Sequence, residues 1–326
     1  MTIATNRRSA LKLGIAGVVA LAAPRIMVRA AHAQVAMPEV EDPGFSRFRL
    51  GGFEVTAVSD GMRPGDGIHT IFGMDRDEAE VTALLEENFL PGDRFVNSFT
   101  PTLVNTGSEL ILFDTGLGAG ARGGGLGRLR ARLEASGYTP QDVSVVVITH
   151  FHGDHIGGLM EDGAPAFANA RYVTGQAEYD FWADDARLSG PTENAARAVR
   201  ANVVPLAEKT TFLGDGNEVV AGVTAMLAAG HTPGHMVFHL ESDGRRLLLT
   251  ADTANHYVAS LQRPDWHVGF DMDKEAGVAT RRRVFDMVAA ERIPFLGYHM
   301  PFPAVGFAEK LDQGYRFVPV SYQFML

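Results

Sequence analysis

Residues 149–158 read Thr-His-Phe-His-Gly-Asp-His-Ile-Gly-Gly and follow directly on the apolar run Val143 to Ile148. Three imidazoles and one carboxylate, His150, His152, Asp154 and His155, fall within six positions. A strand alternates its side chains, so His150 and His152 leave a strand end on the same side, and the turn at Gly153 brings Asp154 and His155 round. Four ligands this close do not comfortably share one tetrahedral ion; they suit two adjacent ions. Imidazole nitrogen and carboxylate oxygen are donors favoured by zinc and by manganese, iron or cobalt. The chain must therefore end a strand in a metal-binding loop and draw the missing ligands from elsewhere.

Open α/β sheets place ligands where strands end. Three further apolar runs qualify. Val223 to Ala229 leads into Gly230-His231-Thr232-Pro233-Gly234-His235, Leu247 to Thr250 leads into Ala251-Asp252, and Ile293 to Gly297 leads into Tyr298-His299.

This pattern, Thr-His-x-His-x-Asp-His with a later His, an Asp and a final His, resembles the metallo-β-lactamase superfamily over nearly all of residues 34–326. The segments Phe53 to Gly61, Leu103 to Gly107, Phe113 to Gly116, Gly230 to His235 and Tyr298 to Pro303 look like the branch that contains methyl parathion hydrolase and related lactonases and arylesterases. The resemblance implies an α/β fold, a four-layer αββα sandwich, formed by residues 34–326 as one domain. It puts one metal on His150, His152 and His235, the other on Asp154, His155 and His299, and makes Asp252 the bridging carboxylate. Asp154 and Asp252 are then the catalytic carboxylates. The cofactors are two divalent ions, Zn2+ foremost, with a hydroxide between them as nucleophile. Asp114 is expected to orient a ligand imidazole and His231 to fix its turn without ligating. The homodimer of the branch is implied too, with the segment from Gly61 to Phe95 contributing to it or capping the pocket.

The chain has no cysteine, so the thiolate ligand of some β-lactamases of this superfamily is absent and Asp252 stands in its place. The expected substrate is a small lactone or aryl ester, with a phosphotriester as the alternative. Phe151, Trp182, Asn255, Tyr257 and Phe302 are the candidate pocket residues. Lactonases of the superfamily often carry Tyr three residues after the bridging Asp, where this chain has Asn255; Tyr257 lies two further on. His256 and His267 read as solvated loop residues. A di-iron redox protein is disfavoured by His152, where such proteins tend to carry Glu. A non-catalytic metal protein is disfavoured by seven ligands, because structural sites are normally closed and mononuclear. Gly118-Ala-Gly120-Ala-Arg-Gly123 fits a dinucleotide fingerprint in form, but the glycine run continues and no ribose-binding acid follows, so it reads as a loop near the site mouth.

Paired arginines, Arg7 and Arg8, precede an apolar run, Leu11 to Pro24, and Ala31-His32-Ala33 is a small-x-small cleavage site. Residues 1–33 thus resemble a twin-arginine export signal, which implies the twin-arginine machinery as partner and a periplasmic or secreted product. The run is too short for a membrane span of about 20 residues. Its removal takes away five basic residues and no acidic one, leaving 24 Lys and Arg against 39 Asp and Glu, a net charge near −15. Such a surface repels phosphate backbones and excludes nucleic acid as a partner. At this length a hydrophobic core suffices without disulfides.

Helices are expected over 75–88, with Asp75 as N-cap and Val81, Leu84 and Leu85 inward; over 126–136, with a Leu126, Leu129 and Leu133 stripe; and over 274–290, with Val278, Phe285, Val288 and Ala289 buried.

Overall fold

The computed structural model describes residues 43–325; the expected export signal, residues 1–33, lies outside them. Short β-branched and aliphatic runs set the strands. Val145–Ile148 is the fifth strand of a seven-stranded mixed sheet. Its spatial order is Phe45–Leu50, Phe53–Val58, Thr102–Asn105, Leu110–Phe113, Val145–Ile148, Arg171–Gly175 and Thr210–Leu213. The first four pair antiparallel and the remainder parallel. A second seven-stranded sheet runs Glu218–Val220, Val223–Leu227, Met236–Ser242, Arg245–Ala251, Phe295–Gly297, Val305–Lys310 and Tyr315–Pro319. Its one parallel pairing joins Arg245–Ala251 to Phe295–Gly297.

Alternation within the strands divides the core. Val145 and Val147 point into one apolar cluster, Val146 and Ile148 into another. The first cluster joins Val55, Val104, Ile111 and Val147 of one sheet to Val237, Leu247 and Leu249 of the other, so the two sheets pack face to face. The second cluster covers the outer face of the first sheet with Leu129 and Leu133 of helix Leu129–Ala135, Trp182 of helix Gln176–Ala183, and Ala196 and Val199 of helix Glu193–Asn202. On the second sheet, helix Lys274–Glu291 buries Val284, Phe285 and Val288 beside Phe295. Helices outside two facing sheets give the four layers expected.

Local departures have local causes. The first helix begins at Glu78, after Asp77, and not at Asp75. The Asp75 carboxylate instead accepts the backbone N–H of His267 at 2.8 Å, a tertiary contact that outcompetes capping. The second helix forms only over Leu129–Ala135, because Leu126 turns away to pack on Phe99 and Tyr298. Helix Lys274–Glu291 follows the expected range but buries Arg281, a charged residue, with Val284, Phe285 and Val288, while Val278 and Ala289 stay half-buried. No helix among the described residues is long and apolar enough to cross a membrane.

Candidate metal centre

The ligand types gather where strands end. His150, His152, Asp154 and His155 follow Val145–Ile148, His231 follows Val223–Leu227, Asp252 follows Arg245–Ala251, and His299 follows Phe295–Gly297. Ala251 takes a left-handed φ of 42°, which turns the chain sharply just before Asp252. Gly230 permits a comparable approach: a Cβ there would lie 2.4 Å from the backbone N of Gly277, so the His231 turn packs directly on the long helix.

Two groups of donor atoms result, one of His150, His152, His231 and Asp252, the other of Asp154, His155 and His299. In the first, His150 Nε2 is 3.1 Å from His152 Nδ1 and 3.1 Å from His231 Nε2, and His231 Nε2 is 2.9 Å from His152 Nδ1. Asp252 Oδ2 lies 3.2 Å from His231 Nε2. In the second, Asp154 Oδ2 is 3.6 Å from His155 Nε2 and 3.5 Å from His299 Nε2. Asp252 also faces this group, with Oδ1 3.2 Å from His155 Nε2 and Oδ2 3.0 Å from His299 Nε2. It is the one carboxylate of the cluster that touches both groups.

Divalent cations fit this arrangement. Ligands about 2.0 Å from a tetrahedral ion lie roughly 3.3 Å apart, close to the spacings of the first group. Mutually facing imidazole nitrogens cannot all be satisfied by one another's protons. The buried His155 Nε2 and Asp252 Oδ1 lie 3.2 Å apart yet neither makes a hydrogen bond, and a cation between the groups would satisfy both.

The structure corrects one expected ligand. His235 points away from both groups, and both its ring nitrogens are taken: Nε2 accepts the backbone N–H of Asp252 at 3.0 Å and Nδ1 faces the Ala228 carbonyl at 3.1 Å. His231, expected to support the turn, supplies the donor atom instead. The two histidines exchange roles because the turn aims the first of them inward and leaves the second under the Asp252 backbone.

For four of the imidazoles the inward nitrogen is set by what the outward one meets. His155 Nδ1 meets Asp114 Oδ2 at 2.8 Å, His231 Nδ1 meets Asp271 Oδ1 at 3.1 Å, His299 Nδ1 meets the Ser98 carbonyl at 2.7 Å, and His150 Nδ1 meets Thr149 Oγ1 at 3.1 Å. Asp114, at a left-handed φ of 62°, also accepts Thr149 N and Oγ1, each at 2.9 Å. Burial lowers the pKa of His152 and of His235 to about 3. Burial also opposes charge on His231, but Asp252 and Asp271 outweigh it and raise that pKa to about 9. The carboxyl of Asp252 is held well below its usual range, burial notwithstanding, by His299, His155 and their neighbours.

Above the groups lies a cleft of about 560 Å³, walled by Arg63, Asn97, Phe99, Leu117 and Phe270 and floored by His152, Asp154, His231, Asp252 and His299. None of the five residues expected in a pocket lines it. Phe151 and Trp182 are buried in the outer core, Tyr257 and Phe302 pack on the inner one, and Asn255 donates Nδ2 to Asp252 Oδ2 at 2.9 Å. The walls come from the two-stranded antiparallel ribbon Gly61–Asp66 with Arg94–Phe99 and from two loops. Of the segment from Gly61 to Phe95, Arg63 reaches the cleft wall. His256 is buried, not solvated, and its Nδ1 accepts the backbone N–H groups of Val258 and Ala259.

Sequence reasoning passed over Asp271, Arg281 and Glu178, all buried and charged. The one signal for Glu178 was its place four residues before Trp182, on the same helix face.

Residues 92–294 match the family model for the metallo-beta-lactamase superfamily. An N-acyl homoserine lactonase of Bacillus cereus is 27% identical over 172 residues, covering 52% of this chain and 62% of that protein, so the chain spans less than two thirds of that curated relative's length. Among solved structures, AidC, a dizinc quorum-quenching lactonase in complex with a product, N-hexnoyl-L-homoserine, aligns with a TM-score of 0.76 at 27% identity, over 86% of this chain and 98% of that one. The hydrolase AbOPH in the beta lactamase superfamily aligns with a TM-score of 0.80 at 27% identity, over 87% and 99%.

Proposed function

We propose that this chain, which belongs to the metallo-β-lactamase superfamily, is an exported dinuclear metal-dependent hydrolase that opens lactones. The observation that carries this reading is the pair of donor groups sharing Asp252 beneath a cleft with an apolar side. His150, His152 and His231 would hold one ion, Asp154, His155 and His299 the other, and Asp252 both. Bound divalent cations supply a Lewis acid for the carbonyl under attack and make water acidic enough to act near neutral pH.

The chain's own groups do the rest. Phe99, Leu117 and Phe270 offer an apolar wall to an acyl group, and Arg63 and Asn97 offer donors to its carbonyl. Asn255 pins the Asp252 carboxylate, and Asp271 fixes the ring of His231. Lactone opening adds water across the acyl–oxygen bond and gives a hydroxy acid. The leaving oxygen needs a proton, and Asp154, a half-buried carboxyl group on the cleft floor, is placed to carry it. The similarity to AidC, a dizinc lactonase, and to the N-acyl homoserine lactonase of Bacillus cereus supports lactones as the class, and zinc as the first metal to test. Export to the periplasm or beyond rests on Arg7, Arg8 and the apolar run after them.

The test is metal removal and return on residues 34–326. Chelation should abolish lactone hydrolysis, zinc or manganese should restore it, and Asp252→Ala should not recover with either. Full turnover in the chelated protein, or in Asp252→Ala, would overturn the proposal.

A further inference from the structure

Glu178 sits within helix Gln176–Ala183, is 0% exposed, and lies outside the cleft lining. Its Oε1 accepts the backbone N–H of Phe151 at 2.8 Å and the indole N–H of Trp182 at 2.9 Å. Its Oε2 accepts the Thr232 hydroxyl at 2.7 Å and the backbone N–H of Gly234 at 2.9 Å. Phe151 stands between His150 and His152, and Thr232 follows His231. One carboxylate thus joins the two loops that supply all three imidazoles of the first donor group. The second group is tied elsewhere, through Asp114 to His155, the Tyr298 hydroxyl to the Asp154 carbonyl, and the Ser98 carbonyl to His299.

The backbone is shaped for this contact. A Cβ at Gly234 would lie 2.0 Å from the backbone N of Glu178, so only glycine lets the helix approach the ligand turn this closely. Four donors on two oxygens satisfy a carboxylate that has no access to water. Glutamine cannot replace it: whichever way its amide turned, the NH2 would confront one pair of donors and leave a backbone N–H of a ligand loop unpaired.

We propose that Glu178 is a positioning residue that fixes the spacing of His150 and His152 against His231, and so sets the metal affinity of the first donor group while leaving the second unchanged. The proposal rests on the dinuclear reading above. Cobalt titration of residues 34–326, followed by its visible absorption and by metal retained after dialysis, tests it. The unsubstituted protein should take two equivalents. Glu178→Gln should hold one with unchanged affinity and the other roughly 10- to 100-fold more weakly, the range seen when groups that orient metal ligands are lost.

Paired variants assign the weakened equivalent. Glu178→Gln should weaken uptake in a His299→Ala background, where the first group remains whole, and not in His152→Ala. Two further variants decide the matter even if Glu178→Gln does not fold. Thr232→Val removes a bond to a ligand loop and should weaken the first equivalent several-fold. Trp182→Phe removes a bond that leads to neither loop and should leave both equivalents in place. Unchanged affinity in Glu178→Gln, equal weakening of both equivalents, or Trp182→Phe matching Thr232→Val would overturn the proposal. An unsubstituted protein that binds no cobalt would overturn the dinuclear reading and this assignment with it.

Discussion

Asp271 meets His231 Nδ1 with Oδ1 at 3.1 Å while its Oδ2 accepts Nη2 of Arg281 at 2.7 Å. Arg281 is itself fully buried and donates to the carbonyls of Thr253, Pro264 and Trp266. The guanidinium so ties the residue after Asp252 to the carboxylate behind His231. In Asp271→Asn one side of the amide must face a donor with an N–H of its own. Zinc affinity should fall about 10- to 100-fold with the fold retained, measured by competition with a chelator and by far-ultraviolet circular dichroism. Unaltered affinity would remove Asp271 from the site.

The exchange of roles between His231 and His235 gives a second expectation. His231→Ala should lose one metal equivalent. His235→Ala should keep both and lose stability by roughly 1–3 kcal/mol, the cost of leaving the Asp252 N–H and the Ala228 carbonyl without their partner. Metal analysis and thermal unfolding separate the two, and the reverse pattern would restore His235 as the ligand.

That exchange marks where the sequence was legible. The cluster at 150–155 and the strand-end positions of Asp252 and His299 follow from periodicity, since each apolar run is short and stops at a ligand type. Gly230 to His235 offers two equivalent imidazoles four residues apart, and only the tertiary claims of Ala228 and Asp252 on His235 distinguish them. The cleft walls were hidden for a different reason. Phe99 and Arg63 reach the site from a two-stranded ribbon whose sequence carries no ligand, whereas the aromatics nearest the motif, Phe151 and Trp182, are held by the core. Glu178 and Arg281 sit on amphipathic helices, where a charged residue ordinarily reads as solvated.

Asp60 provides a pH dependence away from the metal groups. It is fully buried, accepts the backbone N–H groups of Leu117 and Leu129, and burial raises its pKa to about 6 against 3.8 for the free side chain. Because the folded state holds this proton more tightly, stability from this group is complete below about pH 4 and is lost as pH rises through about 6. The loss is on the order of 3 kcal/mol at 1.36 kcal/mol per unit. Asp60→Asn should flatten that part of the curve, read as the difference between the two proteins in denaturant unfolding from pH 4 to 7. Parallel curves would show that Asp60 titrates normally.

Phe270 tests the apolar wall. Phe270→Ala removes contact with a bound acyl chain and should raise KM for a long-chain lactone about tenfold with little change in kcat, while a short-chain lactone is scarcely affected. Equal losses for both chain lengths would place the acyl group elsewhere.

The most direct test of the account is the ratio of kcat/KM for an N-acyl or aryl lactone to that for an aryl phosphotriester, measured on one zinc-loaded preparation of residues 34–326. The shared Asp252, the apolar wall of the cleft and the lactonases among the similar proteins lead to a ratio far above one. A ratio far below one would contradict the account and make phosphotriesters the substrate class.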